Sequence, residues 1–373
     1  MKKLLFLLLI LSVLLAACGA PAATPTPAAL SAATNAPAVT DTASPAEVLP
    51  TDTAPAPEAT SAETRTLTVM THDSFNASEG VIQEFELANN VKITFLKSGD
   101  AGAALNKAVL AKDAPLADVF YGVDNTFLSR ALDSDIFDSY TSPNLSNVPN
   151  EFQLDLKNRA TPVDYGDVCI NYSKAFFDKN GLALPASLDD LKKPEYKDLL
   201  VVENPATSSP GLAFLLATIA QYGDPGYISY WKDLRQNGVV VVDGWETAYS
   251  TNFSGSSGHG PQPMVVSYAS SPPFEVTGDM TESPIGSIVA PGTCFRQIEF
   301  VGILKGTKNR DLAEKFIDFM LDVKFQEDMP LNMYVYPVNS TAKLPESFVK
   351  YADICSAVFS ESGTQTDFLS ISE

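Results

Sequence analysis

From Leu67 to Val123 the chain alternates short apolar runs with helical stripes, and each run ends in a cluster of small and polar residues. Leu67–Met70 reads as a strand, and Val81, Phe85 and Ala88 share one face of a helix. Val91–Leu96 reads as a second strand, Ala103–Ala111 as a second helix and Asp118–Val123 as a third strand. This βαβαβ order predicts a parallel sheet covered by helices. Ligands of such sheets bind beyond the carboxyl ends of the strands. Those ends are Thr71-His72-Asp73-Ser74, Ser98-Gly99-Asp100-Ala101-Gly102 and Gly122-Val123-Asp124-Asn125. One polar end is ordinary loop chemistry. Three in succession point to a site, because polar groups at the end of a buried strand are costly to desolvate without a partner.

A second βα series follows. Leu199–Val202 reads as a strand running into Glu203-Asn204-Pro205-Ala206-Thr207-Ser208-Ser209-Pro210-Gly211 and then an apolar helix to Tyr222. Ser209 is the expected N-cap, with Pro210 in the first turn. Val239–Val242 and Met264–Tyr268 read as further strands, ending in Asp243-Gly244-Trp245 and Ala269-Ser270-Ser271-Pro272. Ala313, Phe316, Ile317, Met320 and Leu321 make a helical stripe. Two such series predict an α/β fold of two lobes, each a mainly parallel sheet flanked by helices, with a ligand cleft between them that closes about a hinge. The expected division is 64–164 with 294–350 for the first lobe and 165–293 for the second, leaving 351–373 as an acidic C-terminal extension.

The first residues read as an export signal. Lys2 and Lys3 precede an apolar run from Leu4 to Ala17, too short to span a bilayer comfortably. The run ends in Leu15-Ala16-Ala17-Cys18, which looks like a bacterial lipobox with Cys18 as the lipidated residue. Residues 1–17 are then the signal peptide, and 18–63, rich in Ala, Pro and Thr, a tether unable to build a core. The expected location is the extracytoplasmic face of the membrane, held there through the lipid alone. An exported chain can oxidise cysteines. Cys169 and Cys294 flank apolar strand-like segments and either pair or remain as two buried thiols.

The formal net charge of −20 argues against nucleic acid, whose binding needs a basic face. It permits a cationic ligand. With only His72 and His259 present, no multi-histidine metal site can form. His259 lies in a Gly- and Ser-rich stretch, 254–260, that reads as a flexible loop and lacks the lysine of a phosphate-binding P-loop. Asp189-Asp190 reads as a helix start. No nucleophile elbow and no zinc-protease motif occurs. The expectation is a binding protein without cofactor or metal; the remaining alternative is a lipid-anchored enzyme.

Seven stretches, in order, resemble the substrate-binding proteins of bacterial thiamine ABC transporters. They are Thr71-His72-Asp73-Ser74-Phe75, Gly122-Val123-Asp124-Asn125, Asp164-Tyr165-Gly166, Thr207-Ser208-Ser209-Pro210-Gly211, Gly244-Trp245-Glu246-Thr247-Ala248-Tyr249, Ser267-Tyr268-Ala269-Ser270-Ser271-Pro272 and Tyr334-Val335-Tyr336-Pro337-Val338. The resemblance spans Leu67 to Val338. It implies a type II periplasmic-binding fold and, as ligand, thiamine or its mono- or diphosphate. It implies delivery by a monomer to a membrane permease with its ATPase.

Aromatic rings enclose the ligand in that family. The matching positions are His72, Phe274 and Tyr334, where the family has Tyr, Tyr and Trp. A thiazolium cation suits electron-rich ring faces. Asp73, Asp124 and Asp164 are candidate acceptors or counter-charges, with Ser74 beside them; for Asp124 and Asp164 the other reading is a cap or loop hydrogen bond. Tyr165 and Tyr268 belong either to the cleft or to core packing. The family binds phosphate near Ser208, Trp245 and the Asp100-Ala101 turn. Same-fold binders of Fe(III), polyamine or phosphonate are the alternatives. Iron binders use neighbouring tyrosines, and Tyr334 and Tyr336, alternate residues of one strand, would face apart.

Overall fold

Residues 63–355 are described by the computed structural model. The signal peptide, Cys18, the tether before 63 and the extension from 356 lie outside the described residues. In chain order the strands and helices are β1 (Arg65–Thr71), α1 (Glu79–Asn89), β2 (Val91–Lys97), α2 (Ala101–Leu110), β3 (Val119–Asp124), α3 (Leu128–Asp133) and β4 (Phe137–Asp138). Then come β5 (Thr161–Ser173), α4 (Lys174–Asn180), β6 (Leu200–Glu203), α5 (Ser209–Tyr222), α6 (Gly226–Gln236), β7 (Val240–Val242), β8 (Met264–Tyr268) and β9 (Ile285–Ile288). The last are β10 (Phe295–Leu304), α7 (Arg310–Met320), α8 (Val323–Met333), β11 (Tyr336–Pro337) and α9 (Glu346–Tyr351).

The expected βαβαβ order forms the first half: β1 pairs in parallel with β2 and with β3. In the second half β6 pairs in parallel with β7 and β8. The halves are parts of one sheet, ordered β2-β1-β3-β10-β5-β8-β6-β7. The long strands β5 and β10, antiparallel to each other, are the continuous link. The result is a two-lobed α/β fold whose sheet runs through both halves.

Periodicity explains the layers. Leu67 and Val69 of β1 pack into one apolar cluster with Phe85 of α1 and Phe316 of α7, whereas Met70 joins a second cluster with Ala104 and Leu105 of α2. On α7, Leu312, Ala313, Phe316, Ile317 and Met320 are all buried, the stripe that its spacing predicts. Burying one ring such as Phe316 contributes about 2–3 kcal/mol. Tyr249, Phe253, Val265 and Ile285 form a separate cluster in the second half.

Two local expectations are revised and a third is filled in. The helix after β6 begins one residue earlier than expected, so Ser208, not Ser209, is its N-cap, and its hydroxyl makes no capping bond. The stretch around His259 is packed: Ser256 is buried and bonds the Phe253 carbonyl, and a Cβ at Gly258 or Gly260 would strike the carbonyls of Ser250 and Asn252. Asp189-Asp190 does start a helical turn, a short 3-10 helix over Asp190–Lys192, and the Asp190 carboxylate accepts the Ala186 and Ser187 amides.

Candidate functional site

β1, β2 and β3 bring their polar ends together on one side of the sheet. The Asp73 amide donates to the Gly99 carbonyl at 3.0 Å, and the Asp73 carboxylate accepts the Gly99 amide at 2.7 Å. His72 passes so close to Gly122 that a Cβ there would sit 2.4 Å from the ring. Gly122 has φ +106°, a conformation that glycine alone adopts cheaply, so both demands fall on one residue. Asp100 caps α2 through the Ala101 amide.

A narrow cleft of about 30 Å³, partly open to solvent, lies against these ends. Its lining from the first half is His72, Ser74, Asp100, Ala101, Gln297 and Glu299. Opposite stand Ser209, Pro210, Trp245 and Tyr268, with Met333, Tyr334 and Val335 at the turn after α8. The two sides touch. The Trp245 amide donates to Asp100 Oδ2 at 2.8 Å, and the Gly102 amide donates to the Thr207 carbonyl at 3.0 Å. A Cβ on Gly102 would approach the Ala206 carbonyl to 2.9 Å, so this closure depends on a glycine.

The aromatic walls are Trp245, Tyr268 and Tyr334. Trp245 stacks on Tyr249 with centroids 4.9 Å apart and meets Tyr334 edge-on at 5.4 Å. The Tyr268 hydroxyl donates to Gln297 at 3.1 Å. Tyr334 ends α8 in a left-handed conformation, φ +63°, which turns its ring onto Phe274 with centroids 3.9 Å apart. Tyr336, in β11, stacks on Tyr165 instead. The two tyrosines diverge as expected, but because of the left-handed turn; only Tyr336 lies in a strand.

The floor is acidic. Glu299 of β10 is the register partner of Asp124 in β3 and of Asp164 in β5, so three buried carboxyl groups lie side by side across three strands. Register shifts on both sides of β10 at this point, skipping Gly122 in β3 and Val163 in β5, set that alignment. Like charges directly opposite repel. The Tyr121 hydroxyl lies between two of them, 2.6 Å from Asp164 and 3.1 Å from Glu299. His72 Nε2 is 3.4 Å from Glu299.

Protonation resolves the repulsion. Burial and the charge on Glu299 push the Asp164 carboxyl well above its usual range, which favours its neutral form. Burial would raise Glu299 too, but the His72 imidazolium outweighs it and holds Glu299 low. Burial works against a charged His72; Glu299, with Asp100 and Asp73 behind it, outweighs burial and raises the imidazole. Burial lifts Asp124 to about 7 and Glu203, at the end of β6, well above its usual range.

Asp124 carries a pH prediction. The folded chain keeps this proton to about pH 7, whereas an unfolded Asp releases it near 4. The folded state therefore binds more protons in that window, and stability falls as pH rises through it. Asp124→Asn retains an Oδ1 for the Thr126 hydroxyl and the Phe127 amide. It is expected to remove about 2 kcal/mol of the stability lost between pH 5 and pH 8. Urea unfolding at the two pH values checks this; an unchanged difference would assign the loss to other groups.

Of the residues singled out from sequence, His72, Ser74, Asp100, Ala101, Trp245, Tyr268 and Tyr334 line the cleft. The structure places the others elsewhere. Asp73 braces the Gly99 turn. Asp124 and Asp164 lie beneath the floor, 0% exposed. Tyr165 is stacked between Phe152 and Tyr336, with Arg296 over its ring. Phe274 backs Tyr334 and is 43% exposed. Ser208 is buried at the start of α5, its hydroxyl facing Asp100 without closing a hydrogen bond. The Trp245 indole N–H is engaged by Ser267 at 2.9 Å. Sequence reasoning missed Glu299, Gln297, Met333 and Val335. The missed signal was Gln297 and Glu299, two polar residues at alternate positions of the largely apolar strand Phe295–Leu304. Cys169 and Cys294 form a disulfide.

A narrow cleft between two α/β halves on a shared sheet, ring-walled and closed by bonds from one side to the other, defines a protein that traps a small solute. The chain belongs to the bacterial extracellular solute-binding proteins, whose family model matches residues 114–353. It is similar to the thiamine-binding periplasmic protein of Escherichia coli, at 31% identity over 290 residues, covering 76% of this chain and 84% of that one. The thiamine-binding periplasmic protein of Brucella suis biovar 1 is 31% identical over 291 residues, covering 76% and 82%. In fold it is similar to a solved periplasmic thiamin binding protein, with a TM-score of 0.67 at 24% identity over 83% of this chain and 95% of that one. The protein is therefore an exported solute-binding protein and not an enzyme.

Proposed function

We propose that the cleft captures thiamine or a thiamine phosphate, and that the loaded protein delivers it to the permease of an ABC transporter powered by an ATPase. One observation carries the reading: three aromatic walls face a buried glutamate whose neighbours are acids. A flat, permanent cation satisfies both, through attraction to ring faces and to a carboxylate. The names of the relatives support the same ligand.

Capture works by hinge closure on β5 and β10, with the boundaries expected from sequence, 64–164 with 294–350 against 165–293. Admission of a ligand requires the Asp100–Trp245 and Gly102–Thr207 contacts to part and then re-form around it. A phosphate tail would meet the start of α5, where the Ser208 and Ser209 hydroxyls have no hydrogen-bond partner among the described residues and the helix dipole favours anions. Cys18 anchors the monomer to the membrane through lipid. For Fe(III), the divergence of Tyr334 and Tyr336 removes the paired-tyrosine donor set.

Calorimetric titration with thiamine, its two phosphates, Fe(III) and spermidine tests the reading. One-to-one thiamine binding at micromolar affinity or better is expected. Trp245→Ala deletes one wall and is expected to weaken it by about 100-fold, equivalent to about 2.7 kcal/mol. Silence toward every thiamine form, in protein stripped of ligand by unfolding and refolding, would remove thiamine as the ligand.

A further inference from the structure

We propose that capture of the cation expels one proton from His72, so that Glu299 exchanges the imidazolium for the bound ligand as its counter-charge. The inference rests on the thiamine reading and concerns how the same site balances charge.

His72 is 7% exposed, and among the residues lining the cleft it alone can be positive. Its counter-charge is Glu299 on β10, 3.4 Å away. Titratable groups reach it from each neighbouring element. Asp73 follows it in its own turn, and Asp100 stands at the start of α2. Tyr121 on β3 lies with its ring 5.6 Å from the imidazole. Asp124 and Asp164 stand beyond Glu299, Tyr268 faces across from β8, and Glu203 acts through Asp100.

In the closed site His72 and Glu299 form a neutral pair. A permanent cation brought against that pair meets a like charge in His72. The Asp164 carboxyl favours its neutral form and makes no second counter-charge available. The balanced step is imidazolium plus solvated cation going to neutral imidazole, bound cation and one proton released to buffer. The neutral ring then offers the cation a π face, and Glu299 keeps a single positive neighbour in both states. Linkage sets the sign: below the pKa of His72 in the free protein, affinity rises about tenfold per pH unit, and it levels off above.

Two measurements on the full chain test this. Thiamine titrations at pH 6 and pH 9, each in buffers of different ionisation enthalpy, count protons. Release of close to one proton at pH 6 and a smaller release at pH 9 is expected, and His72→Gln is expected to abolish the release. Imidazole NMR is clean because the chain has two histidines, and a His259→Gln variant assigns the signals. His72 is expected to be charged at pH 6 in the free protein and neutral in the complex. A His72 that stays charged on binding, that is neutral when free, or a release unchanged in His72→Gln, would overturn the proposal while leaving thiamine binding intact. Absence of any thiamine heat would instead remove the ligand reading; the free-state NMR would still report the His72–Glu299 pair.

Discussion

Glu299→Gln is expected to weaken thiamine binding by about 100-fold, roughly 2.7 kcal/mol, with the fold retained. Gln is nearly isosteric, and its amide oxygen can still accept from Tyr121. What it removes is the carboxylate that faces His72, while burial favours the neutral form of Asp164 beside it. Truncating one partner of a buried charge pair typically costs 2–5 kcal/mol.

A second readout comes from pH. His72 is raised in the fold, so its pairing stabilises fully below the ordinary histidine value and is lost as pH rises through the folded value. Glu299 is lowered, so its share appears above the ordinary glutamate range and is lost as pH falls through its folded value. The pair therefore stabilises between the two, and Glu299→Gln should flatten that window in urea unfolding. Wild-type affinity in the variant would show that the acidic floor does not face the ligand.

Serine at both Cys169 and Cys294 is expected to lower stability by about 4 kcal/mol, read as a fall in the denaturation midpoint. The bridge joins residues 125 apart, and closing so long a loop restricts the unfolded chain strongly. Its position adds a functional side. Val168 of β5 pairs with Phe295 of β10, and the bridge joins the next residue outward on each, so it ties together the two strands that link the halves. Cys355 is buried in the same cluster. A loss below about 1 kcal/mol would mean that the packing there holds the strands without the bond.

The alternation of apolar runs and helical stripes placed β1, β2, β3, β6, β7 and β8 within a residue or two, because the period of a half-buried element is written locally. The three polar strand ends were legible for the same reason, and two of them reach the cleft through His72, Ser74, Asp100 and Ala101. β5 and β10 were not read as elements, although they carry the architecture. They are long and buried on both faces, so they show little alternation, and their pairing is antiparallel between segments more than 120 residues apart.

The order of the βα elements apart from β5 and β10, and the class of fold, were decided locally, by periodicity and by residue types at strand ends, whereas the aromatic positions were implied by the family resemblance. The counter-charge was decided only in three dimensions. In the chain Glu299 is marked only by its polarity beside Gln297; its role is not, since its partners Asp124, Asp164 and His72 come from other elements. Register shifts at Gly122 and Val163 bring them into line, and burial then determines which keeps its proton. Charge state in a protein interior follows from distance and desolvation, and both exist only once the chain has folded.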